Sequence, residues 1–234
     1  MGRHFEVRAA AMAASAKKKS AVYMRASKEI YMAAKGGVPD PSANLALRSA
    51  IEKYKKVCPK DVIDRAIQKA KGGSQENYIA GRYEAFGPGG SFIIVDTLTD
   101  NTNRALTEVR NAITKKGGHL GSVAYNFSEY GVIVFKTDKT KEYLEELLIL
   151  SDVDLTEISI EEGVAELLVA PTALAKAKEV LASNGTVDLE ECSIQMIANE
   201  KLDLSDEDKT KFQEMLDMLD EVEDVQEVYH NVNL

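Results

Sequence analysis

The sequence predicts an α+β protein of three domains: an N-terminal helical bundle and two α+β domains, the last ferredoxin-like and inserted in the middle one. Three observations carry this. Apolar residues in the first 78 positions recur at helical spacing between Gly-Gly stops. From residue 80 the period shortens to that of strands. Residues 131–198 then spell a complete βαββαβ order, which closes its own sheet and leaves a helix and a strand over. The expected boundaries are 1–78 for the helical domain, 79–130 plus 201–234 for the discontinuous α+β domain, and 131–200 for the insertion. A chain of 234 residues has room for all three.

In order, the first helix is expected over 15–35, stopped by Gly36-Gly37. The residues before it, with an alanine tract at 9–14, are expected to be weakly anchored and mobile. Val38-Pro39-Asp40-Pro41 cannot continue a helix. A second helix is expected over 43–57, with Leu47, Ala50, Ile51 and Tyr54 on one face. Pro59 interrupts it. A third, over 60–71, buries Val62, Ile63, Ala66, Ile67 and Ala70 and stops at Gly72-Gly73. Strands at 82–86 and 91–97 flank Gly87-Pro88-Gly89-Gly90, a hairpin signal. A helix over 102–116 and a strand over 122–127 follow.

The inserted unit reads as strand 132–136, helix 139–150, strand 155–160, a turn at Glu162-Gly163, strand 165–169, a helix from Pro171 to 182, and strand 191–197. The leftover helix, 206–222 with Ser205 as N-cap, and strand, 226–232, need a sheet elsewhere. The incomplete unit at 80–127 is the available host, so the last strand should pair with 91–97.

Composition excludes several classes. With 44% apolar and 29% charged residues, the chain is neither disordered throughout nor a fibre. No apolar run approaches the ~18–20 residues that span a bilayer. Two cysteines, Cys58 and Cys192, and three scattered histidines, His4, His119 and His230, provide neither a disulfide framework nor a zinc site. No secretory signal opens the chain, so a cytoplasmic protein without a membrane partner is expected.

The net charge of −9 is unevenly spread. Residues 1–78 hold 16 basic and 7 acidic residues, against 13 basic and 31 acidic in the remainder. The basic part suits phosphates while the acidic part stays off them; the alternative is that the two parts attract each other. At about 100° per residue, Lys18, Arg25, Lys28 and Lys35 share one stripe of the first helix, and Val22, Ala26, Ile30 and Ala33 another. Lys17 and Lys19 adjoin that stripe, and Lys53, Lys55, Lys56, Lys60, Arg65, Lys69 and Lys71 extend it onto the neighbouring helices. These cations, apart from Lys55, form the candidate nucleic-acid-binding set. Contacts of this kind carry affinity rather than sequence information.

Two loops allow a second reading. Gly87-Pro88-Gly89-Gly90 resembles a phosphate cradle but lacks the Gly-Lys-Ser/Thr ending of a nucleotide-binding loop, so a hairpin turn is preferred. In 98–104, Asp100, Asn101 or Thr102 serves as a helix cap, or Arg104 serves as an anion contact at the helix start. Carboxylates such as Glu142, Glu145, Glu146, Asp206, Glu207 and Asp208 fall on solvated helix faces. No catalytic constellation, metal cluster or cofactor motif stands out, so no enzyme is expected.

Several stretches in order resemble one family. They are Ala33-Ala34-Lys35-Gly36-Gly37 with Pro39-Asp40-Pro41 and Asn44, then Pro59 to Ile67 with Lys69-Ala70-Lys71-Gly72-Gly73. Tyr83-Glu84-Ala85-Phe86-Gly87-Pro88-Gly89-Gly90, Leu98-Thr99-Asp100-Asn101 with Asn103-Arg104, Lys116-Gly117-Gly118 and Leu120-Gly121 continue it. Together these resemble the YebC/PmpR family, also called the TACO1 family, and in particular its YeeN-like branch. The resemblance implies a helical domain and two α+β domains around a cleft. It also implies a transcriptional regulator that binds DNA or, alternatively, a ribosome-associated translation factor acting on proline-rich nascent chains, with ribosomal RNA as partner. A sensor or enzyme using the cleft is a third class. The branch commonly opens with a Trp-containing segment and further lysines, whereas residues 5–14 here are largely alanine.

Overall fold

The computed structural model describes residues 16–73, 76–185 and 189–234. The expected mobility of the first residues lies outside them, as do the side chains of Lys17 and Lys18.

The chain opens with three helices, α1 (Ala16–Lys35), α2 (Leu45–Tyr54) and α3 (Lys60–Lys71). Ala26, Ile30 and Ala34 of α1 meet Leu47, Ala50 and Tyr54 of α2 and Ile63, Ala66 and Ile67 of α3 in one core. The second helix is shorter than its apolar period suggested, because polar groups close both ends. Asn44 caps it, its Oδ1 accepting the Leu47 N–H at 3.0 Å, while its amide donates to the Ala33 and Val38 carbonyls at 2.9 Å each. At the other end the Cys58 N–H turns back to the Tyr54 carbonyl at 2.8 Å, directly before Pro59.

Strands β1 (Ile79–Phe86) and β2 (Phe92–Thr99) form an antiparallel hairpin in continuous register from Ile79↔Thr99 to Phe86↔Phe92. The connection is a 3₁₀ turn, Pro88–Gly90. Gly89 sits there at φ 64°, a left-handed backbone that favours glycine, and a Cβ would also press on Leu204 Cδ2 at 2.5 Å. Helix α4 (Thr102–Thr114) leads to the short β3 (His119–Leu120). The strand expected at 122–127 does not form over most of that span. Instead the Val123 and Ala124 N–H groups donate to Glu84 Oε2 at 2.7 Å each, and a 3₁₀ turn follows at Ala124–Asn126. One carboxylate takes the donors that a strand would have given to a ladder.

The next unit comprises β4 (Phe127–Lys136), α5 (Lys141–Leu150), β5 (Leu155–Glu161), β6 (Val164–Val169), α6 (Leu174–Ser183) and β7 (Leu189–Ala198). Its strand order, β5-β6-β4-β7, is that of a ferredoxin-like sheet. Leu144 and Leu148 of α5 and Ala177 and Leu181 of α6 cover Ile133, Phe135, Leu167 and Val169.

Helix α7 (Asp206–Asp220) starts at Ser205, whose hydroxyl accepts the Asp208 N–H at 3.2 Å. Strand β8 (Val225–His230) then pairs with β2, from Ile93↔His230 to Thr97↔Val225, with a bulge at Asp96/Thr97. The first sheet therefore runs β3-β1-β2-β8. Its inner face, with Ile93, Val95 and Ala85, lies against Val109 and Ile113 of α4 and Phe212 and Met215 of α7. The protein is an α+β fold of seven helices and two antiparallel sheets among the described residues. Its described residues form two compact units, 127–199 and 16–126 together with 200–234.

Candidate nucleic-acid interface

The basic face of α1 does not point uniformly to solvent. Arg25 Nη2 donates to the Asp220 carbonyl at 2.9 Å and to its Oδ1 at 3.3 Å. Lys28 is only 5% exposed. Its ammonium donates to Asp224 Oδ1 at 2.6 Å, to the Glu223 carbonyl at 2.9 Å and to the Leu98 carbonyl at 3.2 Å. Asp224 is 0% exposed and also receives Arg104 Nε on Oδ2 at 3.0 Å. Burial alone would raise the Asp224 carboxyl, but hydrogen bonds from Lys28, Thr99 and Arg104 outweigh it and hold the group below the ordinary aspartate value. The expectation that Arg25 and Lys28 present an outward stripe is therefore corrected. The end of α7 and the turn into β8 cover this face, and a lysine buried there requires a buried counter-charge.

Other cations of the candidate set also have carboxylate or carbonyl partners. Lys53 Nζ lies 3.0 Å from Glu29 Oε2 and 2.9 Å from Glu227 Oε1, over the Tyr54 ring. Burial would lower its ammonium, yet the carboxylates of Glu227 and Glu29 hold it well above the usual lysine range. The Tyr54 hydroxyl itself donates to Glu29 Oε2 at 2.6 Å. Lys69 pairs with Glu76, and Arg65 with Asp61 one helical turn away. Lys35 remains exposed, its ammonium donating to the Glu76 carbonyl and to Asn77 Oδ1.

The outward charge gathers elsewhere. Leu45–Gly73 carries eight basic and three acidic residues. At the corner between α2 and α3, Lys55 and Lys60 are exposed and meet no carboxylate among the described residues. Lys56 and Lys71 are exposed nearby in the chain, Val57 shows 48% of its surface, and Lys19 is exposed near the start of α1. Helical periodicity placed these cations on surfaces. It could not show which surface a distant acidic segment would cover.

Both ambiguous loops resolve towards structure. Asn101 caps α4, its Oδ1 accepting the Arg104 N–H at 3.0 Å. Arg104 does meet anions, but they are internal: Asp100 at 2.7 Å and Asp224 at 2.9 Å. The Gly-rich turn approaches Leu204 and the Asp208 carboxylate, surroundings of a packed hairpin rather than a phosphate cradle. The His119 ring stacks on Phe86 at 5.0 Å, and His230 Nδ1 accepts the Val232 N–H. Among the described residues, no cluster of three His, Cys, Asp or Glu is placed to hold a metal ion. No helix there is long and apolar enough to cross a membrane.

With this geometry, comparison with known proteins is consistent over nearly the whole chain. Residues 3–73 match the model of the TACO1/YebC protein N-terminal domain, and residues 78–232 that of the TACO1/YebC second and third domain. A relative from Acholeplasma laidlawii, named "Probable transcriptional regulatory protein", is 46% identical, with 99% of this chain and 98% of the relative aligned. "Probable transcriptional regulatory protein Mfl546" from Mesoplasma florum is also 46% identical, over the full length of both. The crystal structure of a conserved hypothetical protein, Aq1575 from Aquifex aeolicus, superposes with a TM-score of 0.77 at 32% identity. It covers 92% of this chain and 90% of that one.

Proposed function

This chain belongs to the TACO1/YebC family, and from that premise we propose that it is a cytoplasmic, non-enzymatic transcriptional regulatory protein that binds DNA through outward cations of its N-terminal helices. The regulator names of its relatives support the first part. The single observation supporting the second is the α2–α3 corner, where Lys55 and Lys60 stand exposed without carboxylate partners among the described residues, next to Lys56. Ammonium groups so placed neutralise phosphates and release condensed counterions. Lys19, Lys35, Arg65 and Lys71 extend the proposed surface, with Lys17 and Lys18 added from the sequence alone; the buried Lys28 leaves it, and Arg25 and Lys53 already hold carboxylates of residues 220–227. Contacts from ammonium groups to phosphate carry affinity rather than sequence information, so binding through this surface is to backbone and tolerant of sequence. Ribosomal RNA presents the same phosphates, which keeps a ribosome-associated translation factor for proline-rich nascent chains as the alternative.

The test is charge reversal at the corner. K55E/K60E should weaken binding to a random-sequence duplex and flatten the dependence of log K on log salt by about 0.9 for each phosphate these lysines neutralise. The apolar core of α1, α2 and α3 is untouched by these changes, so thermal unfolding should match the parent. Unaltered affinity and slope would remove the DNA reading. Co-sedimentation with ribosomes at matched salt separates the alternative: retention there, without duplex binding, favours the translation factor.

A further inference from the structure

Residues 220–227 hold five acids, Asp220, Glu221, Glu223, Asp224 and Glu227. Three cations of the basic helices meet this short stretch: Arg25 at the Asp220 carboxylate and carbonyl, Lys28 at Asp224, and Lys53 at Glu227, which it shares with Glu29 outside the stretch. The three contacts differ in burial. The Lys28–Asp224 side chains are 6% and 0% exposed, a pin sealed from solvent. Arg25 and Asp220 show 13% and 34%, and Lys53 and Glu227 show 28% and 44%. Ion pairs with some solvent access exchange with other anions more readily than a sealed one, and a phosphate oxygen satisfies a guanidinium or ammonium as a carboxylate oxygen does.

We propose that the 220–227 segment is an internal competitor for nucleic acid, an autoinhibitory contact in which Asp220 and Glu227 occupy Arg25 and Lys53 in place of backbone phosphates. The Lys28–Asp224 pin keeps α1 seated while the two outer pairs exchange. Phosphate that reaches Arg25 and Lys53 displaces carboxylates of the same chain, so part of the intrinsic affinity is spent on this displacement. The proposal rests on the phosphate-binding reading of the helical region given above. It adds a regulation to that reading: any partner or modification that engages the Asp220 and Glu227 carboxylates, leaving the Asp224 pin in place, strengthens nucleic-acid binding.

The test compares two isoelectric double variants of the full chain on a short random-sequence DNA duplex at low salt. D220N/E227Q removes the two competing carboxylates, and E221Q/E223Q removes two exposed carboxylates from the same stretch that hold neither Arg25 nor Lys53. D220N/E227Q is expected to bind about threefold tighter than the parent or better. Its salt dependence should steepen by about 0.9 for each cation released, and E221Q/E223Q should change both less. Adding R25Q/K53Q to D220N/E227Q should abolish the gain. Equal effects of the two double variants, no gain, or a gain that survives R25Q/K53Q would each overturn the proposal. If K55E/K60E loses binding while D220N/E227Q matches the parent, the competitor falls and the DNA reading stands. If neither the parent nor D220N/E227Q binds duplex, both fall. Coincident thermal melts of all variants show that folding is not being measured.

Discussion

Asp224 holds two cations that lie far from it in the chain. It joins Lys28 of α1 and Arg104 of α4 from a position with no solvent exposure, 196 residues from Lys28 in the chain. Removing one partner of such a pair leaves an uncompensated buried charge, at a cost of about 3–5 kcal/mol. D224N should therefore lower stability by about that much in urea unfolding followed by tyrosine fluorescence. R65A, which breaks an exposed pair with Asp61, should cost under about 1 kcal/mol. The pH dependence follows from the same carboxylate. Its folded value lies below the unfolded value of ~3.9. The stabilisation from the Lys28, Thr99 and Arg104 contacts is thus fully present above that unfolded value and is lost as pH falls through the folded one. Stability of the parent should be insensitive to this group between pH 7 and 5 and decline below about pH 4. D224N should lack this group's share of the decline and keep only the part due to other carboxyls held below their ordinary values, such as Glu76 and Asp40. A D224N chain as stable as the parent would remove this account of the pin.

At the scale of elements, local chemistry was legible where it is self-contained. Gly-Gly stops, Pro59, Ser205 and the apolar period of α3 marked helices that the structure contains, and the leftover last strand pairs with β2 as its lack of any other host required. The failures share a cause: a distant group supplied what the local pattern left open. Glu84 took the donors of residues 123 and 124, so the strand at 122–127 gave way to a turn. Asp220, Asp224 and Glu227 took three cations whose spacing on α1 and α2 suggested solvent. Nothing within α1 distinguishes Lys28, which is buried, from Lys35, which is exposed. Asn44 shows how one residue can set an element boundary. It caps α2 while its amide ties down two carbonyls from the end of α1 and the following turn. Asn44→Ala removes all three bonds at an 8% exposed position and should destabilise by about 2 kcal/mol. Asn44→Asp keeps the cap but not the amide donors, and should fall between Ala and the parent in the same urea titration.

At the scale of the whole molecule, charge and topology bear on the same question. Residues 127–199 contain five lysines and fifteen acids, while 1–78 carry an excess of nine positive charges. The acidic stretch also has its ends together, because Phe127 of β4 and Ala198 of β7 are register partners in neighbouring strands. Opposed residues on adjacent antiparallel strands lie about 5 Å apart. A short Gly-Ser linker can therefore join Asn126 to Glu200 without stretching either side. The sheet β3-β1-β2-β8 draws no strand from the excised stretch, and the core around Ile93, Val95, Phe212 and Met215 draws no side chain from it. We expect the shortened chain to fold, with β8 still paired to β2, and residues 127–199 to fold as a separate ferredoxin-like unit. Circular dichroism with cooperative thermal melts of both pieces checks this; a shortened chain that melts without cooperativity would show that the two units do not fold independently. The electrostatic consequence is measured on the same protein. Removing an excess of ten negative charges lowers repulsion between protein and phosphate, so the shortened chain should bind duplex DNA more tightly than the parent at low salt. Screening should close the gap as the Debye length falls from about 30 Å at 0.01 M to about 8 Å at 0.15 M. A gap that persists undiminished at the higher salt would mean that residues 127–199 oppose binding by contact rather than by their field.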